Sequence, residues 1–328
     1  YQFIMKRILI ALAVLLAVQV ADAQVKSVDA AKKAVETAEA DAQNPKKNTK
    51  VATWLKLATT YMDAYEAPAG NVLLNSPRVQ LQMMMGNEKP VSTEEVIVDG
   101  VPFKKEVYAN KNLYFDATDV LRIVEVTQPV YADPLGEALK AYAKAYEVDA
   151  KKSKEKDIKE GIAKICESYL EDGMNAYMLG DLATASKYFG LAAEASLVEP
   201  YNTLNAEAFY NAGYTAFASG NVELAKSYYE KCLENNYHHE NGAVYSNLAN
   251  IYNQYAQNED AKAKEPEAAL DQMNAMLYYL DGKVHNFKDQ VRRDSLNVSD
   301  IELNALADIL CVSVDWLLGR DETLKELT

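Results

Sequence analysis

The sequence predicts a mainly α protein: a solenoid of helical hairpins interrupted near its start by a small antiparallel β insert. Three observations carry this. The chain repeats itself, one stretch rich in alternating β-branched residues breaks the helical pattern, and apolar residues make up 49% of its 328 positions, enough for a large core. The formal charge of −14, from 34 Lys and Arg against 48 Asp and Glu, disfavours nonspecific attraction to nucleic acid or anionic lipid.

In chain order, "MKRILIALAVLLAVQVADAQ" places Lys6 and Arg7 before an apolar run from Ile8 to Val18, then Ala21-Asp22-Ala23 before Gln24. This reads as a secretory signal peptide over 1–23, cleaved after Ala23, with Tyr1 to Ile4 as extra residues before Met5. The apolar run is too short to span a bilayer. The expected location is periplasmic or otherwise exported, with no membrane insertion after cleavage.

Residues 24–150 read as one helical hairpin split by an insert over 66–133. The first helix is "VATWLKLATTYMDAY" and its partner "EALKAYAKAYEVDAK". The insert between them does not read as helix. It contains "EEVIVDGVPFKKEVY", two alternating runs joined by Asp99-Gly100, a strong hairpin signal, and then "NLYF" and "VLRIVEV" as further strands.

Residues 151–282 read as an array with copies from about 166, 206 and 242. Gly173, Ala176, Gly180, Asp181, Ala185, Phe189 and Ala192 match Gly213, Ala216, Gly220, Asn221, Ala225, Tyr229 and Cys232, each at an offset of 40. In the third copy Ala249 and Tyr252 fall 36 residues after Gly213 and Ala216, and its second helix is placed in "EPEAALDQMNAMLYYL". Antiparallel helices approach to ~8–10 Å where small side chains line the contact, which predicts that Gly213 and Ala225 face each other. Gly220 and Asn221 read as the C′ glycine of one helix and the N-cap of the next.

This pattern resembles the tetratricopeptide repeat. Residues 24–282 as a whole resemble exported tetratricopeptide proteins of Bacteroidetes type, with a β-rich insert in a split first repeat. The resemblance implies a concave groove lined by six first-helix positions per copy. These are Glu167, Leu170, Glu171, Met174, Tyr177 and Met178, then Glu207, Tyr210, Asn211, Tyr214, Phe217 and Ala218, then Ala243, Ser246, Asn247, Asn250, Asn253 and Gln254. None of them is Lys or Arg, so the carboxylate clamp of the chaperone-binding members is not expected. An aromatic and Met floor beside Asn residues suits an extended peptide, and the binding residues singled out are Glu171, Met174, Tyr177, Tyr210, Asn211, Tyr214, Asn247 and Asn250.

After Lys283 the text changes. Within 283–328, "SDIELNALADILCVSVDWLLGRDE" resembles the end of a phage-repressor-type helix-turn-helix domain, without the upstream base-contacting helix. A terminal helical cap built on Ile301, Leu306, Ile309, Leu310, Trp316 and Leu317 is favoured, with a fused fragment as the alternative.

No catalytic motif is present, and His238-His239-Glu240, adjacent residues that point in different directions, are not expected to hold a metal. Cys166, Cys232 and Cys311 sit at apolar helical positions as small hydrophobes. The sequence therefore predicts a non-enzymatic scaffold with no cofactor, binding a protein or peptide and not nucleic acid. The competing readings are a DNA-binding regulator using the C-terminal segment and a hydrolase built on the β insert; residues 66–133 contain no His and no Cys.

Overall fold

A computed structural model describes residues 25–257, which form two compact units divided between Ile165 and Cys166. The signal segment, the second helix of the third copy, the 283–328 segment, Cys311, and the side chains of Asn253 and Gln254 lie outside the described residues. Within them the fold is mainly helical with one small antiparallel sheet.

The first unit opens with α1 (Val28–Gln43), begun by Ser27, whose hydroxyl accepts from Ala30 N–H. Ala31, Val35, Ala38 and Ala42 recur at helical spacing and are buried, forming a narrow stripe that lets α1 lie against α2 (Val51–Glu66). Across the insert α2 packs on α4 (Pro134–Val148), whose Leu135, Ala138, Ala141, Tyr142 and Ala145 are buried. Asp133 caps α4 from Gly136 N–H at 3.0 Å, and Pro134 occupies its first turn. Next comes α5 (Glu155–Met178), a helix of 24 residues that starts well before residue 166. Its Gly161 lies under the Tyr142 ring, where a Cβ would come within 2.1 Å of Cζ.

The insert holds α3 (Arg78–Met85) and four strands: β1 (Ser92–Val98), β2 (Val101–Val107), β3 (Lys111–Phe115) and β4 (Leu121–Val126). They form a meander in the order β1-β2-β3-β4. Asp99 (φ 48°) and Gly100 (φ 77°) are both left-handed, as a two-residue hairpin loop of type I′ requires. The helix α3 corrects the expectation that nothing in this insert is helical. Its sequence shows no helical stripe because Leu81 alone is buried, in a cluster with Tyr108, Leu113, Phe115 and Leu121.

The second unit continues with α6 (Leu182–Ser196), α7 (Ala206–Ala218), α8 (Val222–Glu234), a 3₁₀ turn (Glu240–Gly242) and α9 (Ala243–Gln257). The 40-residue repeat is reproduced bond for bond at its turns. Gly180 (φ 81°) and Gly220 (φ 86°) donate to Tyr177 and Phe217 carbonyls, while Asp181 and Asn221 N–H reach back to Ala176 and Ala216 at 2.9 Å in both copies. These are Schellman turns. Asp181 and Asn221 then serve as N-caps, accepting from Thr184 and Leu224 N–H. A helix end and a helix start thus share two residues, which sets the tight hairpin.

The small residues meet large ones. A Cβ at Gly173 would come within 2.8 Å of the Phe189 ring, and one at Gly213 within 2.9 Å of the Tyr229 ring. Gly213 therefore lies against the Tyr229 ring, which fills the interhelical gap beside it. Gly190 takes the Tyr228 ring in the same way, tying α6 to α8. Ser186 Oγ also donates to the Ala212 carbonyl at 2.8 Å, linking α6 to α7.

Candidate peptide-binding face

The first-helix positions singled out by the repeat lie on α5, α7 and α9, all within the second unit. The sixteen whose side chains are described are half-buried or exposed, and none is fully buried. The intervening positions are different: Gly173, Ala176, Phe209, Ala212, Gly213, Ala216, Val244, Leu248 and Ile251 are buried. Each first helix therefore has one accessible face and one core face, and the same repeat positions supply the accessible one.

On α5, Glu167 is exposed, and Glu171, Met174 and Tyr177 are half-buried. Burial pushes the Glu171 carboxyl above its ordinary range. On α7, Tyr214 is 37% exposed and Asn211 is half-buried, its carbonyl accepting from Thr215 Oγ1 at 2.7 Å. Asn205 caps this helix from Ala208 N–H at 3.0 Å, fixing its first turn. On α9, Asn250 is exposed.

Two of the named residues have other partners. Tyr210 is stacked on His239, ring centroids 3.7 Å apart and planes 13° from parallel, and tilts on Tyr229 at 5.8 Å. Asn247 donates from Nδ2 to the Tyr229 hydroxyl at 3.1 Å, holding α9 to α8. Neither presents a free group in the way Asn211, Tyr214 and Asn250 do. The sequence signal for the stack was the pair His238-His239 placed just after α8, read there for metal chemistry alone.

These histidines are ring-stacking residues. His239 Nδ1 meets the Tyr237 hydroxyl at 3.0 Å, and the His238 ring stacks on Tyr245 at 5.2 Å. Burial holds His239 below the usual imidazole value, and the nearby Glu240 and Glu207 offset this only in part. Among the described residues no group of three His, Cys, Asp or Glu side chains is placed to hold a metal. Cys166 and Cys232 are buried free thiols pushed up to about 12 by desolvation, so they act as small apolar side chains.

The β insert carries buried charge in structural pairs. The Lys111 side chain, 2% exposed, places Nζ 2.9 and 3.0 Å from the Glu88 carboxylate. The Glu106 carboxylate, equally buried, is held by Arg78 and by the Tyr108 hydroxyl at 2.8 Å. These bonds clamp α3 and the loop after it onto the sheet.

No known protein-family profile matches the chain, and no curated protein matches it. Among solved structures the chain is similar to the APC/C hetero-tetramer Cut9-Hcn1, at 14% identity over 88% of this chain and 46% of that one, with a TM-score of 0.26. The chain thus spans less than half the length of that neighbour, and so low a TM-score carries no argument about this protein. The helical-hairpin repeat rests on the chain's own geometry: the 40-residue recurrence of Schellman turns, N-caps and glycine-on-ring contacts.

Proposed function

We propose that the protein is a non-enzymatic, exported scaffold that captures an extended segment of a partner protein along the accessible faces of α5, α7 and α9. The observation that carries this reading is the recurrence, in three successive first helices, of accessible side chains at the same repeat positions over a buried core face. The face offers Met174, Tyr177 and Tyr214 for apolar contact and the side chains of Asn211 and Asn250 for peptide backbone groups. Its charged members, Glu167, Glu171 and Glu207, are all acidic, so a terminal carboxylate is not the group recognised. Residues 1–23 supply the export signal in this reading, and the partner is met in the periplasm.

The test is site-specific photo-crosslinking from position 214 in the organism's periplasm, compared with position 223 on the opposite helix of the hairpin. Discrete adducts from position 214 alone support the face. Adducts of equal pattern from both positions, or none, refute it. Replacing Asn211, Tyr214 and Asn250 together with Ala is expected to abolish those adducts, followed from position 174, with an unchanged melt.

A further inference from the structure

Among the described residues β1, at one end of the meander, has a strand neighbour on one side only. Its hairpin with β2 closes through Asp99-Gly100, with Val98 opposite Val101. A two-residue loop makes that closing pair hydrogen-bonded, and bonded and non-bonded pairs alternate from there. The backbone N–H and C=O groups of Thr93, Glu95 and Ile97 therefore point away from β2, to the outer edge. Pairing of β2 with β3 stops at Lys104 opposite Phe115, so residues 96–103 form a two-stranded ribbon that runs past the rest of the sheet. Along β1, Ser92, Thr93, Glu94 and Glu95 are exposed, and Ile97 is 77% exposed.

The side chains specify what this edge fits. Opposed residues of neighbouring strands share a face, so an outer strand meets the same β1 side chains that β2 meets. There Lys105 and Lys104 stand opposite Glu94 and Glu95, and Phe103, Pro102 and Val101 stand opposite Val96, Ile97 and Val98. Two acids followed by three aliphatics are matched by an apolar triplet followed by two bases. We infer that the outer edge of β1 accepts one further antiparallel strand from a partner protein, and that this strand carries two consecutive basic residues after an apolar triplet.

The same pattern argues against a second copy of this chain. β1 carries Glu94 and Glu95 and no Lys or Arg, so the β1 edge of a second copy offers no base to either carboxylate, and a two-fold pairing centred on Glu94 or Glu95 sets like charges opposite each other. A lipid surface receiving the ribbon end-on would have to bury the Asp99 carboxylate at the tip. The edge belongs to the first unit and is independent of the α5, α7 and α9 face.

The test uses the full chain and a fluorescein-labelled peptide, Val-Ile-Phe-Lys-Lys-Glu-Val, the sequence of residues 101–107 with Pro102→Ile so that the residue opposite Ile97 can donate its N–H to the outer ladder, followed by anisotropy. Saturable binding is expected, weakened at least tenfold when both peptide lysines are replaced by glutamate. In the protein, Ile97→Pro removes one outward N–H, and proline is tolerated on an edge strand at such a position. Binding is expected to vanish in this variant with the melt unchanged; Thr93→Pro serves the same purpose if Ile97→Pro does not fold. Absence of binding overturns the inference, as does equal affinity for the two peptides or binding that survives the proline variants. Concentration-dependent dimerisation that competes with the peptide overturns it in favour of a second copy.

Discussion

A methyl group at Gly213 would sit 2.9 Å from Cε1 and 3.0 Å from Cδ1 of Tyr229, a ring that is 1% exposed and so has no room to retreat. Two effects oppose each other in Gly213→Ala. Removing a glycine from a helix interior is worth ~0.5–1 kcal/mol, whereas overpacking a closed core costs ~1–3 kcal/mol. The second is larger, so Gly213→Ala is expected to lower stability, and Gly213→Leu to lower it further. Adding Tyr229→Leu, which shrinks the opposing side chain, should recover part of the loss, giving a favourable coupling in a double-mutant cycle by urea denaturation. Additive losses would show that the ring is not what the glycine accommodates. The same cycle at Gly173 and Phe189 should give a coupling of the same sign, because the contact recurs 40 residues earlier.

Between elements, the joint of α8 with α9 is where the repeat pattern in the sequence ceases to describe the structure. The offset there shortens from 40 to 36, and the positions that line a face in one copy become fasteners in the next. Asn247 aligns with Asn211 yet donates to Tyr229, so Asn247→Ala is expected to cost ~0.5–1.5 kcal/mol, while Asn250→Ala on the exposed side of α9 should change the melt by less than ~0.5 kcal/mol. Equal effects by thermal denaturation would contradict the assignment. The His239 stack on Tyr210 adds a pH dependence. Burial favours neutral His239, so its folded value lies below the unfolded one of about 6.5. Stability is then complete above that value and falls as pH drops through the folded one, because the unfolded chain takes up the proton first. His239→Phe keeps a ring on Tyr210 and removes the proton. The wild type is expected to lose more melting temperature than the variant between pH 7.5 and 5.5. Asp116 titrates elsewhere: burial opposes its ionisation, but Thr118 and Arg122 bonds hold it at about 2, so its share is lost only in stronger acid.

Across the whole chain, the parts that could be read in advance are those where local chemistry and packing agree. Gly180-Asp181 and Gly220-Asn221 announce a helix end and a helix start whatever surrounds them, and Asp99-Gly100 does the same for a hairpin. What escaped depends on partners distant in sequence. Helix α3 is fixed by Arg78 on Glu106 and by one buried leucine, and Asn247 by a hydroxyl 18 residues away. The proposed export is the remaining whole-molecule reading with a physical argument. The apolar run from Ile8 to Val18 is eleven residues long, well short of the ~20 needed to cross the ~30 Å hydrocarbon layer, which suits a cleaved leader and not an anchor. The fold uses the chain from directly beyond the proposed cut: Val25 N–H donates to Asn71 Oδ1 at 3.1 Å, Lys26 pairs with Asp63 at 2.6 Å, and Ser27 caps α1. A cut after Ala23 therefore removes none of these contacts. Protein recovered from the periplasm is expected to begin at Gln24 by intact-mass analysis, and Ala23→Pro, which blocks an A-x-A site, should leave the leader attached and raise that mass by the residues retained. A mass retaining residues 5–23 in soluble cytoplasmic material would remove export and, with it, the periplasmic partner from the proposed function.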